Sequence, residues 1–194
     1  MSARLTGIDE RLTGKSGNIV DRGEGVYRRA VKEEVRLKDV YISPTKGPMS
    51  FQEMFDDIIA YISEVPGATH KLIIGTDSHT RDDLCFVTAI IVYRIGKGAR
   101  YYYRKRRQRK IASLRQKIFY ETSLSLVVAG KLAEYLARQG LDAGPLEIHL
   151  DVGQCGDTKD LIREVVGMVV GSGFDAKIKP NSYGASKVAD KYTK

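Results

Sequence analysis

Hydrophobic and polar positions alternate along this chain in two rhythms, one helical and one extended. Phe51, Met54, Phe55, Ile58, Ile59 and Ile62 recur at steps of three and four, the spacing of one helix face. Ser50 and Glu53 precede them as a capping box, and Pro66-Gly67 ends the helix. Lys71 to Asp77 is then a continuous apolar run, typical of a strand buried on both faces. Leu84 to Ile95 is a second strand, long and β-branched, and Gly96-Lys97-Gly98 turns it into a third from Arg100 to Arg107. Ser113 and Gln116 form another capping box and open a helix that ends at Gly140. A fourth strand is expected over Pro145 to Val152, a helix over Asp157 to Val170, a short fifth strand over Asp175 to Lys179 and a last helix over Ser182 to Tyr192.

The order βββαβαβα predicts an α/β fold: a mixed five-stranded sheet flanked by helices, preceded by the helix from Phe51 and by an arm. Residues 1–40 are polar and weakly periodic and read as a partly flexible N-terminal arm, with Tyr27 to Leu37 able to form a helix; residues 41–194 form the domain. Tyr41 to Pro48 reads as an extended piece and a turn. In open α/β sheets ligands gather beyond the carboxyl ends of strands.

Composition adds less than charge distribution. The 194 residues suit one sizeable domain. No apolar stretch is long enough to span a bilayer, and the sequence MSARLTGIDERLTGK lacks the apolar centre of a signal peptide, so a cytoplasmic location is expected. Cys85 and Cys155 show no metal-type spacing and fit a reducing compartment. The net charge is +8, and eleven Lys or Arg fall between Arg94 and Lys117 without one Asp or Glu. Arg104, Lys105, Arg106, Arg107, Arg109, Lys110 and Arg115 in this run are candidates for contact with nucleic-acid phosphates, with Tyr101, Tyr102 and Tyr103 able to stack on bases. The alternative is a solvated edge strand whose charges block aggregation.

Four acids stand out against this background: Asp77, Glu121, Asp151 and Asp190. A carboxylate among apolar neighbours is costly to bury unless it is paired or bound to a metal. Asp77 closes the first long apolar run, where it either serves a site or starts an Asx-turn into Ser78. Glu121 shares a helix face with Leu114, Ile118, Ser125, Val128 and Leu132; it either meets a cation or pairs with Lys117 one turn away. Asp151 ends a strand on which Glu147 and His149 share its face, with Gly153 and Gly156 following. His149 is either a partner behind the site or a satisfied core histidine. Asp190 shares a helical face with Tyr183, Ser186 and Lys187, and reads either as a site acid or as a surface residue. Four carboxylates of this kind suit Mg²⁺ or Mn²⁺, which prefer hard oxygen ligands.

The segments Ile74-Gly75-Thr76-Asp77-Ser78, Leu114-Arg115 through Tyr120-Glu121-Thr122, His149-Leu150-Asp151-Val152-Gly153, Lys179-Pro180, Ala185-Ser186 and Ala189-Asp190 resemble an uncharacterised bacterial family of predicted RNase H-like nucleases. The resemblance runs from about Tyr41 to Lys194 and leaves residues 1–40 outside. It implies a ribonuclease H-like fold in which Asp77, Glu121, Asp151 and Asp190 are the catalytic, metal-holding acids. The placement of the four acids motivates the expectation of phosphodiester hydrolysis with two divalent ions, Asp77 bridging them, Glu121 and Asp151 holding one and Asp190 on the other. Lys179 and Lys187, with the basic strand, would hold the nucleic-acid backbone, and Ser78 and His149 would stand behind the acids. The substrate-gripping features of RNase H proper have no match here. A binding module without catalysis is the competing reading, since one fold hosts several functions. A phosphatase with Asp77 as nucleophile is disfavoured by His79 in place of a second acid. Ser-His-Asp chemistry is disfavoured because no G-x-S-x-G elbow occurs.

Overall fold

A β-rich centre follows from the two long apolar runs and the basic, tyrosine-bearing run after them, which pair side by side in the computed structural model of the chain. It describes residues 40–80, 83–108, 111–141, 145–153 and 159–193. The strands are β1 Tyr41–Ser43, β2 Gly47–Met49, β3 His70–Thr80, β4 Leu84–Arg94, β5 Gly98–Gln108, β6 Leu146–His149 and β7 Asp175–Lys177. The helices are α1 Phe51–Ser63, α2 Leu114–Arg138, α3 Ile162–Gly171 and α4 Tyr183–Thr193, with a 3-10 turn at Lys159–Leu161 before α3.

The sheet has seven strands in the order β2-β1-β5-β4-β3-β6-β7, so the five expected strands carry two more at one edge. The extra pair is the segment read as an extended piece and a turn: Tyr41 pairs with Met49, and Ile42 then pairs with Tyr103 of β5. β3, β4 and β5 form an antiparallel meander, while β6 lies parallel to β3 and β7 parallel to β6. This is the mixed sheet that the element order requires, since parallel neighbours need crossovers and antiparallel ones need only turns. The arm expected over residues 1–40 lies outside the described residues except for Val40.

Two layers of helix cover the sheet, which explains why β3 and β4 are apolar on both faces. On one face Ile74, Ile90, Val92 and Ile148 pack with Phe55 and Ile58 of α1, Val128 and Leu132 of α2 and Val165 of α3. On the other, Ile73, Val87, Ala89 and Ile91 pack with Ala185 and Ala189 of α4. Gly75 makes the second contact possible. A Cβ there would stand 2.6 Å from Ala185 Cβ and 3.0 Å from the His149 carbonyl oxygen, so only glycine lets α4 lie this close to β3.

Polar anchors fix the register of the layers. Ser50 caps α1 in the expected capping box, and Ser113 accepts from the Gln116 amide at the start of α2. Buried Asp57 on α1 accepts from Lys46 at 2.6 Å, from Arg100 at 2.7 Å and from Tyr102 Oη at 2.7 Å. Burial pushes the Asp57 pKa up, but hydrogen bonds from Lys46 and Tyr102 and the Arg100 charge outweigh it and hold the carboxyl below its ordinary value. This network ties α1 to β5.

Candidate functional site

Side-chain alternation along β3 divides the site between the two faces of the sheet. Thr76 and Ser78 point to α2: Thr76 Oγ1 lies 2.9 Å from Ser125 Oγ, and Ser78 Oγ donates to Glu121 Oε1 at 2.7 Å. Asp77, between them, points to the α4 side. The strand does not end at this acid, as the sequence pattern implied; the β3–β4 ladder continues through Thr80 paired with Leu84. Asp77 therefore sits inside a hairpin whose continuation forms a wall beyond the acid. Its Oδ1 accepts from the Ser78 amide at 2.8 Å, which is a contact with the next residue and not an Asx-turn.

A cavity of about 440 Å³ opens between β3, the end of β6 and the start of α4. Asp77, Asp151 and Asp190 line it together with Lys179, Pro180, Ser182, Tyr183, Ser186 and Lys187. Asp151 comes just after β6, which pairs with β3 only from Leu146 to His149. Beyond that point Leu150 donates to the Lys177 carbonyl and Lys179 donates from its amide to the Val152 carbonyl, so the strand ends stay joined while the sheet opens. Lys179 Nζ reaches back to Asp151 Oδ1 at 2.7 Å. Asp190 is brought in by the close approach of α4 that Gly75 permits.

Glu121 approaches from the opposite side. It is 8 % exposed, held by Ser78, with Lys117 Nζ at 3.9 Å. The helix face expected for α2 is largely as found: Ile118, Ser125, Val128 and Leu132 are buried with Glu121, while Leu114 is exposed. Burial pushes the Glu121 pKa up to about 7; the Ser78 hydrogen bond and Lys117 act against this, and the negative charges of Asp77 and Asp151 add to it. The pKa of Asp77 is raised as well, first by burial and then by Asp151 and Asp190. Mutual repulsion among the carboxylates is the signature of a place where positive charge is missing.

Four carboxylates offer hard oxygen donors, and their chemistry fits Mg²⁺ or Mn²⁺. Among the described residues no three Asp, Glu, His or Cys side chains stand close enough together to grip one ion. Lys179 holds one oxygen of Asp151, and Ser78 holds one of Glu121. The arrangement is thus a group of mutually repelling acids, with a lysine and a serine on two of them.

The basic residues divide in the same way. Lys105 is opposite Val87, which is opposite Asp77, so Lys105 shares the face of Asp77 two strands away. Arg107 shares it through Cys85 and His79, and both Lys105 and Arg107 are exposed. Arg104 is buried near the Tyr41 ring, and Arg106 lies over the Tyr120 ring. Arg115 forms a two-pronged ion pair with Glu164 of α3, one prong at 2.7 Å. Arg109 and Lys110 lie outside the described residues, as do Gly156 and Cys155. Lys187 is exposed, with Nζ 4.6 Å from the centre of the Tyr183 ring. The tyrosine triplet is engaged within the protein: Tyr102 on Asp57, Tyr103 stacked 3.8 Å from Tyr192, and Tyr101 hydrogen-bonded to Tyr192 Oη at 2.9 Å. His149 is buried, 3.4 Å from Glu147, which in turn pairs with Lys71 at 2.8 Å. Burial pushes the His149 pKa down, against Glu147 and the Ser182 backbone. It is a neutral, packed histidine behind the cavity.

One wall residue escaped the sequence reading. Ser182 precedes α4 and lines the cavity, and its only signal was a serine just before a helix.

Against known proteins, a family model described as Ribonuclease H-like matches residues 53–194. The chain is 35 % identical over 168 residues to the uncharacterized protein YkuK of Bacillus subtilis (strain 168), covering 80 % of this chain and 97 % of that protein. No solved structure matches the chain significantly.

Proposed function

The chain belongs to the ribonuclease H-like family, and on that premise we propose that it is a metal-dependent nuclease that hydrolyses phosphodiester bonds in nucleic acid. The observation that carries this reading is the joint presence of Asp77, Asp151 and Asp190 in one cavity with Lys179 and Lys187. A site for an anion alone would not gather acids, and a site for a cation alone has no use for lysines.

Asp77, Glu121, Asp151 and Asp190 would hold Mg²⁺ or Mn²⁺. When bound, these ions would supply the positive charge that offsets the attacking and leaving oxygens of the phosphodiester. The residues of the chain do the rest. Burial raises the pKa values of Asp77 and Glu121, and positive charge brought near them favours their charged forms. Ser78 fixes the orientation of the Glu121 carboxylate. Lys179 neutralises Asp151 in the absence of substrate and is long enough to turn to a phosphate instead. Lys105 and Arg107 extend the positive surface along the Asp77 face, where a strand leaving the cavity would run.

A non-catalytic nucleic-acid-binding module is the second reading. It draws on the absence, among the described residues, of three acids gathered around one point. The two readings separate in a cleavage assay on end-labelled single-stranded RNA, single-stranded DNA, duplexes, an RNA–DNA hybrid and a four-way junction. Each is run with Mg²⁺, with Mn²⁺ and with chelator. Metal-dependent cleavage of any of them supports the nuclease; salt-sensitive binding with no cleavage of any supports the module.

A further inference from the structure

Tyr183 is 62 % exposed, the most open of the large apolar side chains among the described residues, and it lines the cavity with Asp77, Asp151 and Asp190. Two observations put its ring at that wall. The Lys187 ammonium, also of the cavity wall, stands over the ring 4.6 Å from its centre and can cover only one of its two faces. The Lys179 pKa is raised first by the hydrogen bond to Asp151, and the Tyr183 phenol is among the groups that add to this, so the phenol lies within electrostatic reach of Lys179. None of the ring pairs among the described residues includes Tyr183. The tyrosines expected to stack on bases are engaged inside the protein instead, Tyr101 and Tyr103 with Tyr192 and Tyr102 with Asp57. An apolar side chain exposed singly on a surface needs no explanation, but an open ring on the wall of an acidic cavity is placed where a substrate would meet it.

We propose that Tyr183 is a stacking platform for one unpaired nucleobase, and that the strand entering the acid cavity is therefore single-stranded there and not a continuous duplex. Every base has a flat π-face, so a tyrosine ring accepts any of the four without reading sequence. In a duplex both faces of a base are covered by its neighbours, and only a single strand, a loop or an end offers a free one. Tyr183 and Asp190 are seven residues apart on α4, two helical turns, and both line the cavity, so a base held by the ring fixes the strand beside the acids. This inference rests on the nucleic-acid reading above, but not on cleavage.

The chain has no tryptophan, so Tyr183→Trp places a single indole reporter at an exposed position where the change leaves folding intact. An indole stacks on bases as a phenol ring does. Its emission is followed as oligodeoxythymidylate, oligouridylate or a strand of the same length made wholly of abasic sites is added. Each titration is run in chelator and again with Ca²⁺, which takes the same oxygen donors. Anisotropy of an end-labelled strand, in separate samples, reports binding. The expected result is quenching by a base-bearing strand and none by the abasic strand at concentrations where it is bound. Tyr183→Ala is expected to bind the base-bearing strands about tenfold more weakly than wild type, and to bind a long duplex as wild type does. Unchanged indole emission with a base-bearing strand bound, equal quenching by the abasic strand, or wild-type affinity of Tyr183→Ala for the base-bearing strands would each overturn the platform and leave the nuclease reading standing. A wild type that binds neither RNA nor DNA would overturn both.

Discussion

Ser78 Oγ donates a 2.7 Å hydrogen bond to Glu121 Oε1, so the residue next to Asp77 in sequence holds the acid that comes from the far side of the sheet. One strand thereby positions two of the four acids, one directly and one through its neighbour. The hydrogen bond favours the charged form of Glu121. Removing it in Ser78→Ala is expected to raise the Glu121 pKa further and to move the acid limb of the pH–rate profile to higher pH. Ser78→Thr, which keeps the hydroxyl, should restore the wild-type limb. A profile for Ser78→Ala that superimposes on wild type would deny the serine this role.

Glu121 also predicts how stability of the metal-free protein depends on pH. Its pKa is raised on folding from the ordinary 4.5 to about 7, so between these values the folded state binds more protons than the unfolded. Stability is therefore fully present below about pH 4.5, falls as pH rises to about 7, and is level above, the loss from this group being of order 3 kcal/mol. Urea denaturation across this range should show the decline in chelator. Glu121→Gln should flatten it, and Mg²⁺ should reduce it in the wild type.

Gly75 predicts a coupling between packing and the fourth acid. In Gly75→Ala the new methyl meets Ala185 and the His149 carbonyl, and α4 must shift. Overpacking of this kind costs about 1–3 kcal/mol. Because α4 carries Asp190 and Lys187, cleavage should fall more than the lost stability explains, at a temperature where the variant is fully folded. Thermal melting and a turnover assay on the same sample check both halves.

Asp57 supplies the contrasting case of a buried acid outside the site. Asp57→Asn removes the charge that Lys46 and Arg100 share and replaces one acceptor oxygen by a donor, so the three donors keep only one acceptor oxygen between them, and it should cost about 3 kcal/mol. Turnover of the folded fraction, measured well below the melting temperature, should stay near wild type.

Much of this arrangement is legible in the sequence, and the exceptions share a cause. The apolar runs of β3 and β4 define those strands, the glycine turn after β4 points to β5, and the α2 face that carries Glu121 follows from its spacing. Asp77 could be placed on its strand, but not on its side of the site: the facing of a residue inside a long hairpin depends on what packs on each surface. β1 and β2 are three residues each, and Pro48 within the second weakens any strand pattern. The charge run from Arg94 to Lys117 reads as one surface in sequence. Strand alternation and tertiary pairing scatter it, leaving Lys105 and Arg107 on the Asp77 face two strands away while Arg104 is buried and Arg115 binds Glu164. The Lys179–Asp151 pair and the unpaired hydroxyl of Ser182 arise only when distant segments meet, and no local pattern announces them.

The central claim is that Asp77 belongs to a metal-dependent hydrolytic site. Turnover of whichever nucleic acid is cut best, compared between wild type and Asp77→Asn at saturating Mg²⁺ or Mn²⁺, tests it most directly. The account predicts cleavage that chelator abolishes and that falls at least about a hundredfold in Asp77→Asn, with the fold intact by circular dichroism. Cleavage by Asp77→Asn at the wild-type rate, still dependent on metal, would contradict it.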